Sequence, residues 1–236
     1  MGLDGVRWAR EGLVDLVIVT PFWETSDFNL PIGLWKRLLE GTNVALAAGV
    51  EILVRPYLKS AMAFQTPQTT CGVAAAALHD GADCVYLFNH FYDMPGQRTG
   101  QWAEQAEAIP VIHAMSSLAT LDPLPRRHIL TYDDTQAPGE PGNTMLPVEG
   151  KLAIFRLRTG PRPTGRKVQV TLGFELLQPA PAFFAPPKVR VNGVPCSEHP
   201  QQHGTNCIYD VPEDALTDES HTIEIDCVED KPFKVV

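Results

Sequence analysis

Polar and aromatic side chains follow directly after three short apolar runs of the sequence. A pair of carboxyl groups can act as a general acid and a general base in catalysis. We predict Glu24 and Asp27, after the first run, as the catalytic carboxylates, and Asp93 is a further acid that could form a pair with Glu24. Forked and amide groups hold hydroxyl or carboxylate partners by hydrogen bonds, and aromatic rings stack on the apolar face of a ligand ring. The predicted substrate-binding residues are Trp23, Arg55, Tyr57, Asn89, Tyr92 and Asp93.

Each of these residues also has a structural interpretation. Glu24 could be a solvated loop acid, and Arg55 could form a salt bridge to Glu51 or to a neighbouring acid. Asn89 could cap a helix, and aromatic residues at strand ends are also common in cores. Glu51 lies earlier in its apolar run than Arg55, so it is interpreted as structural. His90 is interpreted as a buried histidine rather than as an acid or base.

The sequence predicts no metal site and no cofactor. The five cysteines form no Cys-x-x-Cys pair, which argues against zinc. His199 and His203 have helical ligand spacing, but Pro200 and Gly204 make a helix unfavourable there. Neither a glycine-rich phosphate loop nor a Gly-x-Ser-x-Gly nucleophile turn occurs in the chain.

Strands and helices alternate in the first half of the chain. The strongest signal is residues 84–88, an apolar run that is typical of a strand buried on both faces of a parallel sheet. An alanine-rich helix precedes this run, and its end is marked by Asp80-Gly81. Such alternation predicts parallel β-α-β units. The predicted strands are residues 13–21, 50–55 and 84–88, and residues 16–19 of the first are a second buried apolar run. The predicted helices are residues 6–12, 30–39, 69–79 and 101–108.

The second half of the chain has a different character. Glycine and proline become frequent, and short runs alternate between apolar and polar residues. Asn192-Gly193 is typical of a two-residue hairpin turn, and the whole pattern predicts an antiparallel β-sandwich. The predicted domains are residues 1–122 and 123–236. The predicted strands are residues 128–132, 151–157, 167–177, 188–191, 207–211 and 222–227.

Several segments resemble bacterial glycoside-hydrolase-like proteins. They are WAREGLVDLVIV at residues 8–19, GADCVYLFN at residues 81–89 and PRRHILTYDD at residues 125–134, together with VRVNGV and YDVP at residues 189–194 and 209–212. The resemblance implies a (β/α)₈ barrel followed by a small β-sandwich, and a carbohydrate as substrate. Glycoside hydrolysis needs two carboxyl groups roughly 5 to 10 Å apart, with the exact spacing depending on the stereochemical course. The resemblance therefore implies that Glu24 with Asp27 or Asp93 supplies this pair, and that the polar and aromatic candidates above bind sugar. A closed barrel takes eight strands in about 250 residues, whereas the sequence shows about three.

The expected fold is therefore α/β plus all-β, with partial TIM-barrel-type βα units followed by a small antiparallel β-sandwich. The chain would be the C-terminal part of a barrel, with some catalytic acids elsewhere. The first strand would then have an uncovered edge, which is an association hazard, so we expect another copy or a partner chain to cover it. The alternative is a non-catalytic module for carbohydrate binding or assembly.

Composition and charge limit the classes of partner and the cellular location that we expect. The chain has 236 residues and a net charge of -9, which argues against nucleic acid because phosphate binding needs a basic surface. No apolar run is long enough for a membrane span. The start of the sequence lacks a signal-peptide core, so a cytoplasmic location is expected.

Overall fold

The computed structural model describes residues 3–21, 25–90, 105–131, 146–150, 152–162, 165–176, 186–199, 206–226 and 233–235. The helices of these residues are α1 Gly5–Arg10, α2 Ile32–Leu38, α3 Pro67–His79, α4 Gln105–Ala114 and α5 Leu118–Leu121. The predictions of α2 and α3 are confirmed. In the described residues helix α4 extends past the predicted end at residue 108 to Ala114, and residues 101–104 of the predicted range lie outside the described residues.

A parallel sheet forms the first layer. Its strands are β1 Leu16–Val19, β2 Ala45–Glu51 and β5 Cys84–Phe88, in the order β1-β2-β5. Strands β1 and β5 lie where the sequence predicts them. Strand β2 begins earlier than predicted, because its small apolar residues pair in register with both neighbours. As the central strand, β2 is buried along almost its whole length.

The predicted barrel-type fold is wrong. In the described part of the chain the parallel sheet has three strands and does not close into a barrel, and the other sheets are antiparallel. Helices α2 and α3 cover one face of this sheet. The other face exposes Leu16, Ile18 and Tyr86 by 44%, 36% and 42%. The apolar runs of the two edge strands were interpreted as buried on both faces, but each strand is covered on one face.

The remaining strands form a hairpin and two larger antiparallel sheets. The hairpin is β3 Leu53–Val54 with β4 Ala63–Phe64. One sheet has the order β10-β9-β13-β7, from Val194–Pro195, Lys188–Val191, Glu219–Asp226 and Leu152–Gly160. The other has the order β11-β12-β8-β14-β6, from Ser197–Glu198, Asn206–Val211, Val168–Leu176, Phe233–Val235 and Val148–Gly150. Phe155, Val189 and Ile225 of the first sheet share a core with Leu172 and Tyr209 of the second.

Most predicted strands of the second half are found, with one exception. Strand β9 has the predicted bounds, and β7, β8, β12 and β13 overlap the predicted ranges. Residues 128–131 of the predicted strand at 128–132 are not a strand, and residue 132 lies outside the described residues. Residues 127 and 128 instead run against α3, where the Arg127 amide donates to the Gln68 carbonyl.

Helix α3 has strong local start signals. Thr66 and Thr69 cap each other reciprocally, and Pro67 occupies the first turn, where its missing N–H is not needed. The alanines that follow are almost fully buried and let neighbouring backbone approach closely. Gly72 is the extreme case, because a Cβ there would lie 2.2 Å from the Arg127 carbonyl oxygen.

Three polar contacts tie the loop after β1 and the end of α3 to strand β7. The Asn29 amide donates to the Arg156 carbonyl at 3.1 Å and accepts from the Arg158 amide at 2.8 Å. The Arg158 guanidinium pairs with Asp80, just past α3, at 2.8 Å. The division into domains at residue 122 stays a prediction, and these contacts cross it.

A comparison of two helical glycines tests the docking of α3. Replacing Gly72 by Ala should destabilise the protein by about 1 to 3 kcal/mol, because the new methyl group meets backbone that cannot move freely. Gly33→Ala in α2 is the matched control, since the nearest atom to a Cβ there is 3.7 Å away. That variant should be neutral or gain up to about 1 kcal/mol from helix propensity. Urea denaturation measures the free energy of unfolding of both variants. Equal changes in the two would contradict the close packing of α3 on the segment at residues 127 and 128.

Candidate functional site

The C-terminal edge of the parallel sheet carries a buried carboxyl group, that of Glu51. Glu51 is the last residue of β2 and is 2% exposed. Its Oε1 accepts from the Ile52 amide at 3.1 Å, and its Oε2 lies 3.5 Å from Nδ2 of Asn89. Burial raises the pKa of the Glu51 carboxyl, although hydrogen bonds from Asn89, Ile52 and Leu53 oppose the shift. A carboxyl group of this kind can keep and donate a proton at higher pH than a solvated one.

Asn89 reaches Glu51 because of the way β5 ends. Glu51 and Phe88 are direct neighbours in the register of β2 and β5, so the next residue, Asn89, lies beside the end of β2. Asn89 has a φ of 61°, and asparagine is one of the residues that tolerate this left-handed region. The predicted binding residue Asn89 is thus placed next to a carboxyl group.

His90 follows at the same edge and is neutral at physiological pH. Burial lowers the pKa of His90 to about 4, and its Nδ1 lies 3.0 Å from the Phe88 carbonyl oxygen. A histidine with that pKa is a neutral imidazole and not an imidazolium near neutral pH, so it cannot serve as a general acid there.

The loop after β1 supports the same edge from the other side. The Ser26 hydroxyl donates to the Glu51 carbonyl at 2.8 Å, and the Ser26 amide donates to the Leu53 carbonyl at 2.8 Å. The predicted catalytic residue Asp27 is 1% exposed, and its Oδ1 accepts from the Asn29 amide at 2.8 Å. This contact stabilises the turn that places the Asn29 side chain against β7. The catalytic role of Asp27 stays a prediction.

Arg55 and Tyr57 are both engaged with protein groups. The Arg55 side chain donates from Nε to the Ser60 carbonyl at 3.0 Å, and its amide donates to the Thr25 hydroxyl at 2.9 Å. The Tyr57 ring packs against the core of the two antiparallel sheets, with the Lys234 ammonium 5.6 Å from its centroid. These contacts hold the β3–β4 loop in place. The roles of Arg55 and Tyr57 in substrate binding stay predictions.

The other predicted site residues lie outside the described residues. They are Trp23 and Glu24, after β1, and Tyr92 and Asp93, after β5. Sequence reasoning missed Glu51 as a functional candidate and interpreted it as structural. Its signal was present, because Glu51 is the one charged residue among residues 44–54, and an acid within a buried strand is unusual unless it has partners.

The described residues add two further findings. They hold no group of three or more histidine, cysteine, aspartate or glutamate side chains placed to bind a metal ion. Within those same ranges, no helix has the length and apolar character needed to cross a membrane.

Comparisons with known proteins do not assign a family. The chain matches no protein-family model, and a search of curated proteins finds no match either.

The pH dependence of stability tests the burial of Glu51. Unfolded Glu51 titrates near its ordinary pKa of 4.5, and the folded pKa is higher. The stabilisation from its neutral form is therefore complete below pH 4.5 and is lost as pH rises through the folded pKa. Glu51→Gln cannot ionise, so it should gain stability relative to the natural protein between pH 4.5 and 7, by about 1.4 kcal/mol for each pKa unit of the shift.

Urea denaturation across this pH range gives the measurement. Glu40→Gln makes the same chemical change at an exposed site, and its difference from the natural protein should stay flat. A flat profile for Glu51→Gln as well would show that the Glu51 carboxyl is not held in a desolvated site.

Proposed function

We propose that this protein hydrolyses glycosidic bonds at the C-terminal edge of its parallel sheet. The observation that carries the proposal is the buried Glu51 carboxyl with its raised pKa, held beside Asn89 where two strands end. Open α/β sheets bind ligands outside the carboxyl ends of their strands. Glycosidases use one carboxylic acid with a raised pKa as the proton donor. The sequence segments that resemble glycoside-hydrolase-like proteins support the same class.

The proposed chemistry assigns Glu51 as the general acid. Its proton passes to the glycosidic oxygen as the bond from that oxygen to the anomeric carbon breaks, and a water molecule adds its oxygen to that carbon. The water's displaced proton is taken up by a second carboxylate or returned to Glu51. Asp27 and Glu24 are the sequence-based candidates for that second group. Asn89 would orient the Glu51 carboxyl and contact a sugar hydroxyl.

A second candidate function is carbohydrate binding without turnover. Glycoside hydrolysis takes two carboxyl groups, and the Asp27 carboxylate is hydrogen-bonded within its own turn. In the described part of the chain, the hydrogen bonds at this edge join Asn89 to one carboxylate, that of Glu51. That arrangement suits recognition of hydroxyl groups as well as it suits catalysis.

Turnover and binding measurements on Glu51→Gln separate the two functions. On a panel of aryl glycosides, the hydrolase proposal expects this variant to lose about 100-fold or more in kcat, because a general acid contributes that much. Binding of the same glycosides, followed by thermal shift, should persist. Glu40→Gln should keep full activity.

Two results would decide against catalysis by Glu51. Turnover in Glu51→Gln equal to that of the natural protein would remove its assignment as the acid. Binding of glycosides by the natural protein without turnover would establish the second candidate function.

The proposal includes a cytoplasmic location and a covered first strand. A second copy or a partner chain over β1 is supported by the exposure of Leu16 and Ile18 on an edge strand. Light scattering at micromolar concentration should report a mass above 25.9 kDa for the purified chain, and a monomer would exclude self-association.

A further inference from the structure

Two arginine side chains, both distant in sequence from Glu51, are held together where two loops meet. Nη2 of Arg126, in the loop after α5, donates to the Pro161 carbonyl at 3.2 Å. Nη2 of Arg166, in the loop between β7 and β8, donates to the Pro123 carbonyl. Each arginine thus reaches the loop that carries the other. These reciprocal hydrogen bonds fix two positive charges at one junction.

The charges at this junction are poorly balanced by the chain itself. Burial lowers the pKa of the Arg126 guanidinium, the Asp122 charge opposes this shift, and the Arg166 charge adds to it. The Arg126 side chain is 7% exposed, and the Asp122 carboxylate lies 4.0 Å from its Nη2, at the outer limit of an ion pair. A buried guanidinium beside a second one is costly for the folded state unless negative charge compensates both.

Arg126 also has an unsatisfied donor. Its Nη1 is shielded from solvent and makes no hydrogen bond with the part of the chain that the structure describes. A buried donor without an acceptor destabilises the folded state, and the cost is greater when the donor is charged. The partner that this junction calls for is therefore a negatively charged hydrogen-bond acceptor.

The surroundings of the junction favour an anion. Arg127 and Lys167 are exposed and directly follow the two arginines in sequence, although the chain as a whole has a net charge of -9. Arg162, in the loop between β7 and β8, pairs with Glu213 at 3.1 Å, and its amide donates to Asp218 at 2.8 Å. Cations outnumber acids among the residues of this junction, so its local field attracts negative charge.

Charge and shape indicate the class of ligand. Guanidinium groups bind phosphate and carboxylate oxygens through paired N–H donors. Two guanidinium groups balance a dianion, and a phosphate monoester carries a charge of about -1.5 to -2 at pH 7. A carboxylate brings one negative charge, and Asp122 already supplies one of that kind at the edge of the junction.

We propose that Arg126 and Arg166 bind a phosphate group, either as inorganic phosphate or as the phosphate of a small molecule. The exposed Arg166 meets the anion from solvent, and a shift of its side chain lets a phosphate oxygen reach the buried Nη1 of Arg126. This site goes beyond the proposed function, because it needs neither Glu51 nor turnover.

Calorimetric titration of the full chain with sodium phosphate, at constant low ionic strength, tests the site. The natural protein should bind one phosphate, and Arg166→Gln should weaken this binding by about tenfold or more, because a charge-assisted contact is lost. Arg190→Gln is the matched control, since Arg190 is an exposed arginine on β9, and it should bind like the natural protein. No binding by the natural protein, or the same loss in both variants, would overturn the proposal.

Thermal denaturation separates phosphate binding from a purely structural role of Arg166. Without phosphate, Arg166→Gln should be at least as stable as the natural protein, because one of two neighbouring like charges is removed. Phosphate should raise the Tm of the natural protein and of Arg190→Gln, and leave that of Arg166→Gln nearly unchanged. If Arg166→Gln lowers the Tm equally with and without phosphate, the side chain only joins the two loops, and the phosphate site is wrong.

Two further titrations test the charge and the source of the ligand. Acetate should bind more weakly than phosphate because it carries a single charge, and equal binding would contradict a site for a dianion. Glucose 6-phosphate that binds more tightly than inorganic phosphate would indicate a phosphorylated sugar, whereas equal or weaker binding would indicate free phosphate. Either of these last two results supports the site and identifies where its phosphate group comes from.

Discussion

The close contact between helix α3 and the edge strand β7 holds the parallel and antiparallel layers together. Gly160, at the end of β7, has a φ of +70°, and a Cβ there would lie 2.8 Å from the Ala75 carbonyl oxygen. Backbone therefore packs directly on backbone, and the Asp80–Arg158 ion pair lies at the same junction. Because α3 also packs behind β2 and β5, this contact fixes the sheet edge that carries Glu51 and Asn89 relative to the antiparallel sheets.

A carboxyl group buried at a strand end is expensive for the folded state. The Glu51 carboxylate recovers part of that free energy from backbone amides of its own chain segment and from the Asn89 side chain. Desolvation still outweighs these donors, since the pKa is raised. A site that keeps such a group at the expense of stability is a candidate for function on physical grounds.

Sequence patterns predicted local structure better than they predicted architecture. The apolar runs of β1 and β5 and the capped, alanine-rich α3 carry their signals within a few neighbouring residues, and all three were placed correctly. Burial of a strand on one face or on both depends on partners that are distant in sequence. The expected barrel came from the resemblance to glycoside-hydrolase-like proteins, whose shared segments encode local strands and helices rather than the closure of a sheet. Residues 128–131 were misassigned for a related reason, since packing against α3 overrides their strand propensity.

The candidate site was predictable in position but not in its central residue. Polar groups after parallel strands placed the candidate site at the C-terminal edge of the sheet, and Asn89 lies at that edge. Glu51 was set aside because it precedes the end of its apolar run. The raised pKa of Glu51 comes from its burial in the folded chain, which an isolated stretch of sequence does not show. The hydrogen bonds from the Ile52 and Leu53 amides likewise depend on how the chain leaves β2.

The two hydrogen bonds of Asn29 have a consequence for the open edge of strand β7. One side-chain amide accepts from Arg158 and donates to Arg156, which is the pattern that a residue of a neighbouring strand would make. The Asn29 side chain thus occupies two backbone groups at the edge of β7, so a strand of another chain cannot pair with β7 at that point. The outermost β7 edge is capped by a loop, so further growth of that antiparallel sheet is obstructed from this side.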